Sequence, residues 1–392
     1  MIKRIIAIIL FLCCITTSMP VYAKKNQADL GVSAMAAVLM EASTGECIYE
    51  KEADKKLSPA SITKIMTLIL IFDALKDGRI SLEDKVSTSA HAKSMGGSQV
   101  FLEEGETQTV ETMIKCIVVA SANDASVAMA EHLAGSEEEF VKKMNERAKS
   151  LGMTNTVFED CCGLTDSKTH LTTAKDVAIM SRELIIKYPK IKNYSTIWME
   201  NITHSTKKGN SEFGLSNTNK LLKMSNSFTV TGLKTGSTSL AKYCLSATGE
   251  KNGIELIAVI MAAPDYKARF KEAQTLLNYG FSCCTLYEDS DMPKLSQIAV
   301  KGGKQDNVSV EYEKKFSIIS TTGEDFSKIE KKLELDQGIT APINKKTKVG
   351  RLIYLIDNKE IGSVDIYTKE KVGKANYTDY VKKIWKFFTL TA

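Results

Sequence analysis

A chain of 392 residues, 43% of them apolar, is long enough for two ordinary domains with real cores. Its formal charge of +5 is mild, and no basic stripe interleaved with aromatics occurs, so composition excludes the usual nucleic-acid-binding classes.

The first segment, Met1 to Ala23, reads as an export signal. Lys3 and Arg4 give a basic start, Ile5 to Ile15 an apolar run, and Val21-Tyr22-Ala23 a small-residue cleavage site. The run is too short for a permanent membrane span; the competing reading is a buried N-terminal helix. Removal of the segment lowers the charge from +5 to +3 and takes Cys13 and Cys14 with it. The remaining cysteines, Cys47, Cys116, Cys161, Cys162, Cys244, Cys283 and Cys284, are odd in number and lack C-x-x-C spacing. Adjacent pairs suit neither zinc nor an easy bridge, so scattered thiols acting as small apolar residues are expected.

Along the mature chain, two short apolar runs between Ala34 and Tyr49 flank Ser43-Thr44-Gly45 as a hairpin. After Pro59, Ser61 through Lys76 is apolar on all sides, the mark of a helix buried at the centre of a domain. Helical patterns continue over Glu111–Ala120, Asp124–Leu133, Glu137–Ser150 and Thr173–Lys187. Phe228–Leu233, Tyr243–Thr248 and Ile254–Ala262 then read as strands, the last two joined at Lys251-Asn252-Gly253. Pro264 stops the last strand, and Asp265 caps a helix over Tyr266–Tyr279. Strand pairs at both ends with helices between predict an α+β domain, an antiparallel sheet covered by helices, over 28–285.

Beyond Pro293, Ile298–Val300, Val308–Tyr312, Phe316–Ser320, Leu333–Leu335, Arg351–Ile356 and Ile361–Ile366 are short strands between turns, a small all-β domain over 292–368. The tail, 374–392, carries Tyr377, Tyr380, Val381, Ile384, Trp385 and Phe388 at helical spacing, with Lys382, Lys383 and Lys386 off the stripe. That pattern predicts an amphipathic helix in a membrane interface; the alternative is docking on its own domain.

Three short motifs carry chemistry. Ser61-Ile62-Thr63-Lys64 places a hydroxyl and an amine on one helical face, where a neutral lysine can take the serine's proton. Ser205–Lys208 and Ser239–Lys242 match the same spacing, but only the first copy has Pro59 before it and an apolar helix after it. Ser121-Ala122-Asn123 falls on a turn between helices, where a second hydroxyl can shuttle a proton and an amide can hold a peptide; alone it is an ordinary helix cap. Lys234-Thr235-Gly236, at the end of a strand and followed by Ser237, can grip a terminal carboxylate, and the glycine lets substrate approach. Alone it is a surface turn. The backbone N–H groups of Ser61 and Ser237 are candidates for an oxyanion hole.

In this order the three motifs resemble the signature of penicillin-binding proteins and class A β-lactamases. With Gly97-Ser98, Leu102, Gly105-Glu106, Gly163-Leu164, His170, Thr172-Thr173-Ala174, Asn217, Asn219 and Gly232-Leu233, the chain resembles the low-molecular-mass penicillin-binding proteins, specifically the serine D-alanyl-D-alanine carboxypeptidases. The resemblance implies a β-lactamase-like catalytic domain, a small all-β domain and a membrane-anchoring helix at the outer face of the cytoplasmic membrane. It implies that Ser61 attacks the bond between two terminal D-alanines of a peptidoglycan stem peptide, with Lys64 as base and Ser121 as relay. Asn123 holds the peptide, Lys234, Thr235 and Ser237 the carboxylate, β-lactams inhibit, and no metal or organic cofactor enters. Two departures stand out. Ala122 replaces the aspartate of the middle motif, and Cys161-Cys162 occupy a stretch that is usually polar, which leaves the roles of the rim and of His170 open. His91, His132 and His204 are expected on surfaces.

A class A β-lactamase needs a deacylating glutamate, and no Glu-x-x-x-Asn follows Glu159, since the fourth residue on is Gly163. A non-catalytic wall-binding protein would not require Ser61, Lys64, Ser121 and Lys234 intact. A transpeptidase shares the acyl-enzyme step and stays open at this level.

Overall fold

The computed structural model describes residues 28–390 apart from Lys208, with side chains as far as Trp385; the expected export segment lies outside the described residues. Every element below belongs to the unit that begins at Ser33.

Strands β1 (Ala36–Glu41) and β2 (Cys47–Lys51) form the expected hairpin. The fully buried Glu41 carboxylate closes it by accepting hydrogen bonds from the N–H and hydroxyl groups of Ser43 and Thr44 at 2.7–2.9 Å. The expected helix from Ser61 begins as a tighter 3-10 turn, Ala60–Thr63, and becomes α1 (Lys64–Lys76) only at the lysine. Ile65, Met66, Leu68, Ile69 and Ile71 are all buried, so α1 is the spine of the helical half. Around it lie α2 (Val110–Val119), α3 (Asn123–Ala134), α4 (Glu137–Ser150) and α5 (Ala174–Lys187). Thr109, Ser136 and Thr173 cap α2, α4 and α5, each side-chain oxygen accepting from the N–H three residues on.

A hairpin that the sequence pattern did not announce follows, β3 (Met199–Thr206) with β4 (Gly209–Ser216). Then come β5 (Thr229–Thr238), β6 (Lys242–Lys251) and β7 (Ile254–Ala263), which with β1 and β2 form one antiparallel sheet in the order β2-β1-β7-β6-β5. One expectation is corrected here. Lys234-Thr235-Gly236 does not end a strand but lies inside β5, because pairing with β6 continues through Ser237↔Tyr243 and Thr238↔Lys242 although the apolar run stops at Leu233. Helix α6 (Tyr266–Cys283), capped by Asp265 as expected, packs on the sheet, as does α5 through a buried Ser181–Ser246 hydrogen bond of 2.8 Å. The fold is α+β, with the motif residues on the 3-10 turn and first residue of α1, at the start of α3 and on the edge strand β5.

The all-β part follows. Val310–Tyr312, Lys359–Thr368, Lys348–Ile356 and Glu330–Leu335 make a four-stranded sheet, and Asn307–Val308, Ile298–Lys301 and Ile339–Thr340 a three-stranded one. The expected single strand Val308–Tyr312 is thus two, split between sheets at Ser309. Thr285–Glu288, which the pattern missed, pairs with Ser317–Ser320. Phe316 stacks on Tyr354 with ring centroids 3.6 Å apart, and the buried Tyr354 hydroxyl donates to Asp289 at 2.7 Å.

The last helix, α7 (Tyr377–Leu390), agrees with the expected amphipathic segment. Tyr377, Tyr380, Val381, Ile384 and Trp385 are 47–83% exposed; the side chain of Phe388 lies outside the described residues. Lys383 meanwhile donates to Gly303 C=O at 2.8 Å and pairs with Asp306, so the polar side of α7 touches the all-β domain. Among the described residues no helix is long and apolar enough to cross a membrane.

Candidate active site

Ser61 sits in the 3-10 turn, half-buried at the floor of a cleft of about 280 Å3. Two glycines let other segments close on that turn. At Gly163, with φ +78°, an added Cβ would fall 1.8 Å from Ala60 C=O; at Gly236 it would fall 2.7 Å from Pro59 C=O. Only a residue without a side chain fits at either place. Ala60 and Ser121 themselves hold positive φ, +47° and +60°, conformations that cost energy and gather at functional sites.

One turn along from Ser61, the Lys64 side chain is fully buried. Its Nζ lies 2.9 Å from Ser61 Oγ, 2.6 Å from Asn123 Oδ1 and 2.8 Å from Cys162 C=O. Asn123 and Cys162 offer only acceptors in those contacts; the Asn123 Nδ2 is committed to Gly96 C=O at 2.7 Å. A neutral amine has two N–H donors and one lone pair. Two donors to Asn123 and Cys162 therefore leave the lone pair directed at the Ser61 hydroxyl. Burial acts in the same sense, pushing Lys64 below the ordinary lysine value, against a pull upward from Cys162, Cys161, Asp160 and Asp124.

Lys234 is the second buried lysine, 1% exposed on β5. It donates to Ser121 Oγ at 2.7 Å and to Thr235 C=O at 3.1 Å. Burial first, then the neighbouring Lys64 and Arg269, drive it well below the ordinary lysine value. Thr235 donates to the Thr218 hydroxyl at 2.7 Å, while Ser237 is exposed at the cleft mouth. The structure thus joins Ser61 with Lys64 and Asn123, and Ser121 with Lys234, along one cleft that Thr235, Gly236 and Ser237 also line. The chance copies do not enter it. Ser205 lies on β3 and Ser239 follows β5, and neither lines the cleft.

Arg269 was not foreseen. From α6 its Nη1 donates to Gly236 C=O at 3.1 Å, and its buried Nε has no partner among the described residues. It lines the cleft behind the β5 motif. No local pattern flags it; only the packing of α6 on β5 and β6 brings it there.

The Asp160–Gly163 loop works through its backbone. The Asp160 carboxylate accepts from Cys162, Gly163 and Thr165 N–H, and this turns the Cys161 and Cys162 carbonyls toward Thr67 and Lys64. Both thiols are fully buried, and the seven cysteines among the described residues are free thiols. His170 Nδ1 accepts from Glu159 N–H at 3.0 Å and its Nε2 meets Thr63 Oγ1 at 2.8 Å. Burial lowers its pKa, so it stands as a neutral ring that holds the nucleophile's turn. His91 and His132 are exposed as expected, but His204 is not. It is 7% exposed on β3, with Nδ1 2.8 Å from the buried Glu106, because the β3–β4 hairpin turns that side of the strand inward.

Residues 22–265 match the family model described as D-alanyl-D-alanine carboxypeptidase, and residues 281–374 the one described as penicillin-binding protein 5, C-terminal domain. The chain is 41% identical over 389 residues to D-alanyl-D-alanine carboxypeptidase DacF of Bacillus subtilis, covering 97% of each. Among solved structures, penicillin binding protein 5 from Haemophilus influenzae is 30% identical, with a TM-score of 0.67 over 88% of this chain and 98% of that one. Penicillin-binding protein D2 from Listeria monocytogenes, solved with ampicillin bound, is 31% identical, with a TM-score of 0.56 over 65% of this chain and 100% of that one.

Proposed function

The chain belongs to the D-alanyl-D-alanine carboxypeptidase family and is a serine-type carboxypeptidase of it, and from that premise we propose how its residues divide the work. The observation that carries the reading is the buried Lys64 amine, whose Nζ lies 2.9 Å from Ser61 Oγ and is held there by Asn123 Oδ1 and Cys162 C=O. Ser61 Oγ attacks the carbonyl between the two terminal D-alanines of a peptidoglycan stem peptide while Lys64 takes its proton. The C–N bond breaks, the proton passes by way of Ser121 to the leaving amine, and an ester to Ser61 remains. Water then cleaves that ester and restores the serine. Thr235, Ser237 and the charges of Lys234 and Arg269 hold the terminal carboxylate; Asn123 takes the substrate amide; the Ser61 and Ser237 N–H groups receive the oxyanion. A β-lactam enters the same path and stops at the ester.

The terminal helix supports a second part of the reading. Its exposed aromatic stripe would hold an exported enzyme on the outer face of the cytoplasmic membrane, with the chain divided as signal, catalytic domain, all-β domain and anchor. The test of the reaction is product analysis. Purified protein incubated with a stem pentapeptide should release free D-alanine, and pre-treatment with penicillin should stop the release. Intact peptide, or a cross-linked product instead of D-alanine, would overturn the assignment.

A further inference from the structure

Arg269 stands among three aromatic rings. Tyr266, one turn before it, and Phe270, next to it, come from α6 itself, and Tyr243 comes from β6. Spacing of three on a helix puts Tyr266 and Arg269 on one face. The guanidinium carbon lies 4.7 Å from the centroid of Tyr266, 4.7 Å from that of Phe270 and 5.6 Å from that of Tyr243. The rings brace one another edge to face, Tyr266 against Phe270 at 5.4 Å and against Tyr243 at 6.3 Å.

A buried guanidinium usually takes a carboxylate, which holds it and cancels its charge. Among the described residues no carboxylate is paired with Arg269. Its Nη1 donates to two carbonyls, Gly236 at 3.1 Å and Cys244 at 3.4 Å, and its buried Nε has no partner. Ring faces offset part of the lost hydration without using an N–H donor and without neutralising the cation. The charge therefore stays whole in the wall of the cleft, fixed against the backbone of the β5 motif. The three rings differ in where they stand. Phe270 is buried, whereas Tyr266 is 41% exposed and, of the three, only Tyr266 lines the cleft beside Arg269.

We propose that Tyr266 is a positioning residue, whose ring face seats the Arg269 charge beside β5 and thereby makes the site select substrates that end in a free carboxylate. The inference rests on the reaction assigned above, in which the β5 motif and Arg269 hold that carboxylate. Tyr266 acts through the arginine and leaves the bonds made and broken as they are.

The experiment compares two thioesters on the full chain, benzoyl-D-alanyl mercaptoacetate with its carboxylate free and the same compound as its neutral methyl ester. Thioesters are reactive enough for both to be turned over, and the methyl ester reports that each variant is folded. The wild type should prefer the acid by about tenfold or more in kcat/KM, the effect of a charge pair partly shielded from water. Tyr266→Leu keeps apolar bulk but has no aromatic face, and should lower that preference about three- to tenfold by slowing the acid alone, mainly through KM. Tyr266→Phe keeps the face and should stay within about twofold of the wild type. An unchanged preference in Tyr266→Leu would overturn the inference, as would an equal slowing of both thioesters, the mark of a merely structural role. So would a loss in Tyr266→Phe as large as in Tyr266→Leu, or a wild type indifferent to the carboxylate. Turnover of neither thioester, with no penicillin adduct on Ser61, would instead overturn the reaction assigned above.

Discussion

The cleft and the terminal helix break the same rule in opposite directions. At the cleft two lysines are buried to 1% exposure or less; at α7 five large apolar side chains stand 47% or more in water. Burying a cation costs several kcal/mol unless partners are exact or the group becomes neutral, and exposed aromatics gain nothing from solvent. Neither arrangement helps the chain to fold. The comparison teaches that such exceptions to folding rules mark places for something outside the chain, a substrate at the cleft and, on the reading proposed above, a membrane surface at α7.

The largest expected effect breaks the cleft side of that contrast. Lys64→Arg puts a permanent cation in place of the base, since a guanidinium does not deprotonate, and acylation by penicillin should fall by about 10²–10⁴-fold. The pH profile gives the sign. Only the neutral amine accepts the serine's proton, and burial lowers the Lys64 pKa, so acylation should rise with pH through that lowered value. It should reach its plateau below the ordinary 10.5. A limb that tracks an unshifted lysine would contradict the neutral-base account.

Next comes the helix. A chain ending near Lys374 should lose at least about a hundredfold in partitioning to anionic vesicles, less than a half-buried stripe of such side chains can supply at roughly 1.5–3 kcal/mol each when fully buried. Sedimentation with vesicles reads it directly, and added salt should weaken binding of the full chain. The truncated enzyme should keep its activity on small peptides. Equal binding by the two chains would mean that α7 is a docked terminal helix, as its Lys383 contacts with Gly303 and Asp306 would then suggest.

How far these features could be read in advance depends on whether chemistry or packing wrote them. Ser61 and Lys64 were legible because a helix places i and i+3 together and the following run is apolar on every side. Ser121 and Asn123 were legible as a break between two helical periods. The β3–β4 hairpin was not, because its inward positions alternate Ile202 with His204, and a histidine does not register as an apolar residue. The same blindness put His204 on the surface. Arg269 and the two carbonyls that hold Thr67 and Lys64 left no signal at all, since one depends on how α6 lies on the sheet and the others on backbone orientation.

A smaller effect separates the two buried lysines. Lys234→Arg keeps the charge that faces the carboxylate but cannot reproduce a compact ammonium between Ser121 and Thr235, so kcat/KM on a stem peptide should fall about tenfold, well short of the Lys64→Arg loss. Equal losses would leave the division between base and carboxylate holder without support. The smallest effect is expected at Lys383→Ala. Its partner Asp306 is 75% exposed, so the substitution should change stability by no more than about 1 kcal/mol in denaturant melts, with peptide hydrolysis unaltered.

The central claim is that Ser61, activated by Lys64, forms the covalent intermediate. Its most direct test is peptide mapping by mass spectrometry after brief exposure to a labelled penicillin. The adduct should be found on the peptide that contains Ser61 and should vanish in Ser61→Ala. Label that survives that substitution, or that maps to Ser205 or Ser239, would contradict it.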